Sequence, residues 1–394
     1  MLRIFALMAI LTSQVSACLW DRDTLAEETK GRADTSKLIV GWFDRYPPRY
    51  YEMRLERVTA ELEKRQGDLN LHDDAAVACD RLGRHDEAIE WMERKKALLD
   101  ALPAADVKEH HYRYLANLGT FHAHRWIALP QTERDLNLAD LRVAEKLVAQ
   151  AIHENPDAHF GREIYQLLAI RWMLWDGDQD SIELDPDSGL MIGRDGWIHD
   201  QGFPRSDVFT RMTVEGIGGL IQLGAAWQSL DAFHALTRAL RYDELASLAH
   251  LSFNRELELY DAGSRSIHPL KSVRDKVHPS QPRETKHREP ADEFFVLARA
   301  AAVERNKSWN NYQTEQFEKG LHPDTHPDFW NAWVEPEFPS PPGPTLKERL
   351  GRLIKDRFGL VASIFIVTMA LITVVIVDFI RRRKVQSQQR TSTQ

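Results

Sequence analysis

Nineteen consecutive residues without a charge, Gly359 to Val377 (GLVASIFIVTMALITVVIV), constrain this chain more than any other feature. As a helix they extend about 28 Å at 1.5 Å per residue, enough to cross a hydrocarbon core. A buried core helix would leave the flanking Arg357 and Arg381-Arg382-Arg383-Lys384 no place in a protein interior. The run predicts a transmembrane helix over 359–380 and a basic cytoplasmic tail over 381–394. Charge alone leaves its orientation tied, because residues 346–358 hold five Lys/Arg and residues 379–394 hold five as well. The N-terminus breaks the tie. Arg3 precedes an uncharged, mainly apolar run from Ile4 to Thr12, nine residues that cover only about 14 Å of helix, too short to span and typical of a secretory signal. A signal peptide over 1–17 places the body outside the cytoplasm, and the expectation is a single-pass protein of the cell inner membrane with a periplasmic body.

The end of that signal, Val15-Ser16-Ala17-Cys18, resembles a bacterial lipobox. The resemblance implies a lipid on Cys18, which would become the first mature residue. Ala17 with Val15 two places before it also suits ordinary signal peptidase, which leaves Cys18 as a plain thiol or a partner for Cys79. With only these two cysteines, a disulfide framework and a four-cysteine zinc site are both excluded.

Removing both ends, residues 1–18 and 359–394, takes away six of 51 basic and one of 59 acidic residues, leaving 45 against 58, or −13. So acidic a body argues against nucleic acid as a partner, since phosphate binding draws on clustered cations. Its apolar residues recur at helical spacing, while alternating strand-like runs bounded by turn dipeptides are nearly absent, so the expected fold class is all-α.

One stretch says more. In Asp74-Ala75-Ala76-Val77-Ala78-Cys79-Asp80-Arg81-Leu82-Gly83-Arg84-His85-Asp86-Glu87-Ala88-Ile89-Glu90-Trp91-Met92, small residues stand where two helices would touch, Gly83 at the turn and Ala88 at the closest approach of the second helix. This resembles the tetratricopeptide repeat. In a second copy Leu118-Gly119 take places 7 and 8 of a 34-residue unit starting at 112, whereas Ala144, Ala151 and Pro156 take places 20, 27 and 32 only from 125. The mismatch is a 13-residue insertion, mapped to the turn around Trp126 to Glu133. A helix from Ala158 to Leu174 follows, and Asp231 to Leu259 forms a degenerate copy around Arg241-Tyr242-Asp243.

The resemblance implies a TPR-like helical-repeat array, an α-solenoid, over 66–260, preceded by a helical segment over 18–65. Such arrays hold peptides or helices of other proteins in a groove lined by the first helix of each pair, and by register the groove takes Asn70, Asp73, Asp80, Arg113 and Thr120. Gly216, Gly218, Gly219 and Gly224 fall in an otherwise helical segment, where each costs about 1 kcal/mol against alanine, so they predict close helix packing. Their spacing is not G-x-G-x-x-G and no cofactor is expected. Further on, 261–290 reads as a flexible loop rich in Lys271, Arg274, Lys276, Arg283, Lys286 and Arg288, 291–334 as helical, 335–345 as a Pro-rich stalk and 346–358 as an amphipathic juxtamembrane helix.

Motifs that carry chemistry are scarce. His122 and His124 point about 200° apart on a helix and cannot share an ion, and neither H-E-x-x-H, G-x-S-x-G nor a Walker loop occurs. Asp176, Asp178 and Asp180 begin like a calcium loop, but place six is Ser181, place eight is Glu183 and place twelve is Asp187, so that set is only a weak metal candidate. No catalytic residue is proposed. The expected function is a membrane-anchored adaptor binding other proteins or peptides. The competing expectations are an envelope enzyme, calcium-dependent through 176–187, and a receptor for a small ligand held between helices near Trp172 and Trp175.

Overall fold

The computed structural model describes residues 35–340 apart from 157–160, 178–181, 194–195, 199–206, 224–225, 242–244 and 283–287. Expectations for the signal segment, Cys18, Asp178, Asp180, Gly224 and everything from 341 onward, including the apolar run 359–377, lie outside the described residues. Among those described, no helix is long and apolar enough to cross a membrane.

The chain is dominated by helices, as the periodicity leads one to expect. In order they are α1 (Thr35–Val40), α2 (Pro48–Leu62), α3 (Leu69–Arg81), α4 (His85–Asp100), α5 (Ala104–Ala128), α6 (Gln131–Arg134), α7 (Ala139–Glu154), α8 (Arg162–Leu174), α9 (Asp207–Leu223), α10 (Leu230–Ala239), α11 (Ala246–Asp261), α12 (Lys271–Arg274) and α13 (Arg288–Glu318). A two-residue antiparallel pair, β1 (Glu183–Leu184) and β2 (Met191–Ile192), is the one sheet among the described residues, with Glu183 opposite Ile192.

Local chemistry sets the boundaries. Asp68 caps α3 by accepting from the amides of Asn70 at 3.1 Å and Leu71 at 3.3 Å. Gly83, at φ +73°, supplies the left-handed residue that turns α3 into α4. Ala88 is fully buried on α4, where a larger side chain would hold the two helices apart. The insertion around Trp126 is spent differently from a plain loop. α5 runs unbroken through it to Ala128, the short α6 follows, and the Trp126 indole donates to the Asn137 carbonyl at 2.8 Å.

Each of the longer helices from α2 to α11 packs on its neighbour in sequence, as stacked helix pairs do. The ends are then tied together. α13 packs on α11, α1 and α2, and α1 also touches α9 and α11. Arg54 on α2 and Asp324, past the end of α13, form a buried ion pair at 2.7 Å that Arg57 joins at 2.7 Å. Arg305 on α13 reaches Asp44 at 2.6 Å, and Trp309 donates its indole N–H to the Arg45 carbonyl at 3.0 Å.

Two segments expected to be linkers are packed where they are described. In the stretch after α11, Ser266, His268, Val273 and Val277 are buried, with His268 Nε2 bonded to the Trp172 carbonyl at 2.8 Å. Two of its bases are paired, Lys271 with Asp275 one turn on at 2.5 Å and Arg274 with the distant Asp135, just past α6, at 2.7 Å. The start of the Pro-rich stretch lies on the body too: Glu335 accepts from Arg305 and from the Trp42 indole, both at 2.9 Å, and the Phe338 ring meets Trp42 edge-on at 5.1 Å.

Candidate functional site

The register-predicted groove residues are placed mostly inside the fold. Asp73 on α3 is buried and takes both oxygens to Lys95 Nζ on α4, at 2.6 and 2.7 Å, with Asn117 of α5 beside it at 3.4 Å. Burial pushes both members of this pair toward their neutral forms, Asp73 upward and Lys95 downward, and their mutual attraction opposes it. Asn70 and Arg113 bond each other across α3 and α5 at 3.1 Å. Asp80 is buried between two rings, accepting from Nδ1 of His85 and of His124, each at 2.9 Å. Burial alone would raise its carboxyl, but the His124 charge and the two imidazole hydrogen bonds outweigh it and hold the group well below the usual carboxylate range. Thr120, one turn before His124, donates to the Ala116 carbonyl at 2.8 Å and accepts from Gln166 Nε2 at 3.0 Å.

Thr120 and His124 border a concavity. A cavity of about 280 Å³ opens between α5, α8, the end of α9, the start of α10 and the segment at 265–267. Along one side of it α9 approaches α8 closely. A Cβ on Gly216 would stand 2.1 Å from the Tyr165 ring, and one on Gly219 would stand 2.1 Å from Arg162 Nε, so only glycine permits this approach. α10 begins on a Ser229 cap, which accepts from the Ala232 amide at 3.2 Å and presents Asp231 in the first turn.

The wall is mainly apolar, with Ala123, Ile127, Ala169, Ile170, Trp172, Met173, Trp197, Leu220 and Ile267. Its two indoles are fixed by their N–H groups, Trp172 on the Gly193 carbonyl and Trp197 on the Asp231 carbonyl, both at 2.9 Å. Polar groups are few. His124 is oriented by Asp80 through Nδ1, which leaves Nε2 as its second functional atom. Asp231, only 6% exposed, accepts from the Ile267 amide through Oδ2 at 3.0 Å, while its Oδ1 has no hydrogen-bond partner. Burial pushes its carboxyl above the ordinary range, against the Ile267 amide, the Ser266 hydroxyl and the positive groups His234 and Arg134. Gln166 Oε1 is likewise buried without a partner.

Trp172, one of the two tryptophans expected near a ligand, is thus part of the cavity wall. Trp175 bonds Glu183 instead, at 3.1 Å. Of the weak metal set, Asp187 pairs with Arg171 at 2.5 Å, and Arg171 also holds the buried Asp185 at 2.5 Å. Among the described residues, no group of three or more His, Cys, Asp or Glu side chains is arranged to hold a metal ion. Cys79 is buried on α3, and burial pushes its thiol up to about 11.

Asp231 carried no recognisable sequence signal as a site residue. An acidic residue two places after a serine, at the head of a helix, reads as capping, and the strip at 265–267 that buries it comes from the stretch expected to be a loop. No protein-family model matches the chain, and no curated protein or solved structure is significantly similar to it.

Proposed function

We propose that this chain is a membrane-anchored, extracytoplasmic helical module that binds one small, mainly apolar molecule in the cavity between α5, α8, α9 and α10. The observation that carries the reading is the cavity itself: apolar walls, two immobilised indoles and a few placed polar groups are the usual make-up of a small-molecule site. The address rests on the apolar run 359–377 and the signal-like N-terminus. A peptide groove has less support, because Asp73, Asp80 and Thr120 spend their polar groups within the fold.

The test uses the full chain in nanodiscs of zwitterionic lipid, with benzyl alcohol as a neutral probe and calorimetry as the readout. Ala169→Phe, which places a ring in the cavity, should abolish the saturable heat while leaving the helical circular dichroism unchanged. Saturable binding that survives Ala169→Phe would remove the cavity from the explanation.

A further inference from the structure

α13 gives only one of its faces to the body. Phe294, Ala298, Ala302, Arg305 and Trp309 are buried, and the helix packs on α11, α1 and α2. On the other face Val296 is 70% exposed, Leu297 54% and Val303 47%, with Ala300 exposed between them. The 296, 300, 303 spacing puts Val296, Ala300 and Val303 on one stripe, and exposed Glu293 and Lys307 continue it at either end. The charges that flank the stripe are already engaged within the chain: Asp292 accepts from Asn254 at 2.8 Å, and Arg299 pairs with Glu258 at 3.1 Å. Among the described residues neither Glu293 nor Lys307 has an ion-pair partner. Large apolar side chains grouped in water on one helix mark an interaction surface.

This stripe is complementary to itself. Outward from Ala300 it carries a valine on each side, then an acid at Glu293 and a base at Lys307, each seven residues from the centre. A second copy laid antiparallel, with the twofold axis at Ala300, reverses that order. Val303 then meets the partner's Val296 and Lys307 meets the partner's Glu293, and symmetry makes each contact twice. Ala300, at the axis, is small enough for the two helices to approach closely. Glu304 falls at the rim, where a carboxylate stays hydrated. A parallel copy would instead set Glu293 against the same acid and Lys307 against the same base.

We propose that the outer face of α13 is the interface of a homodimer, with the two copies of the helix antiparallel about Ala300. This inference stands independently of the cavity reading. The stripe from 293 to 307 is about 21 Å long, less than the ~800 Å² per partner of a standard interface requires, so the dimer is of the weak, exchanging kind.

Sedimentation equilibrium of the full chain in a neutral detergent, at low ionic strength where exposed pairs are least screened, makes the test. The parent should dimerise with a Kd in the micromolar range. Glu293→Lys and Lys307→Glu should each weaken the dimer at least ~5-fold, because each reversal replaces two ion pairs with two like-charge contacts. The two reversals in one chain should return the Kd to within about 3-fold of the parent. Val303→Asp, a change at an exposed site, should give a monomer with unaltered helical circular dichroism. A parent that stays monomeric, a dimer indifferent to the single reversals, or a double variant that fails to recover would each overturn the proposal.

Discussion

Two parts of the molecule bury polar side chains and treat them in opposite ways. Between α3, α4 and α5 the buried charges meet each other across helices: Asp73 with Lys95, Asp80 with His85 and His124. Between α8, α9 and α10 the helices come together through glycine, and Asp231 and Gln166 each keep an oxygen without a partner beside open space. The first arrangement specifies which helices pair, since a buried charge tolerates few alternative partners. The second holds unsatisfied polar groups in reserve, which is where a folded protein can still gain by meeting something else.

The sharpest way to break the contrast is to remove one partner from the first region. Lys95→Met should leave the Asp73 carboxyl buried and unpaired and destabilise by about 3–5 kcal/mol in urea denaturation. Adding Asp73→Leu to it should recover much of the loss, and a single variant as stable as the parent would show that the pair does not discipline these helices. In the second region Gly216→Ala places a methyl into the Tyr165 ring and should cost about 1–3 kcal/mol, read as a lowered Tm.

The seam between the regions gives a smaller, pH-dependent effect. Tyr112 on α5 donates to Glu163 on α8 at 2.5 Å, and burial raises the Glu163 carboxyl from 4.5 to about 8. The folded chain then holds this proton where the unfolded chain has lost it. The stability gained by the neutral acid is complete below about 4.5 and is lost as pH rises through about 8. Between those limits the Glu163 contribution should fall by up to ~1.4 kcal/mol per pH unit. Acids held low, such as Asp80, change stability in the other direction at acid pH, so the quantity to measure is the difference between the parent and Glu163→Gln. A difference that stays flat from pH 5 to 8 would contradict the burial argument.

Much of the architecture was legible because it is local. Gly83 and Ala88 mark a turn and a contact within a few residues of each other, and the glycines from 216 to 219 announce a close approach by their cost in a helix. The cavity is not local. Its wall draws on residues near 120, 170, 220, 230 and 266, and nothing in the spacing of these segments says they meet. The buried state of Asp73 and Asp80 was equally hidden. Polar residues at regular helical positions look alike whether they face solvent or a partner such as Lys95, itself a residue seldom found inside.

The tie between α13 and the first helices sets limits on how this protein can change. An open stack of helix pairs can lengthen or shorten by whole units, because each unit answers only to its neighbours. Here Asp324 must find Arg54, and Arg305 must find Asp44, across more than 260 positions of chain. Inserting or deleting a pair would displace both clasps at once. A chain built this way cannot diversify by duplicating its own units, and its ends should melt together with its middle in one cooperative step.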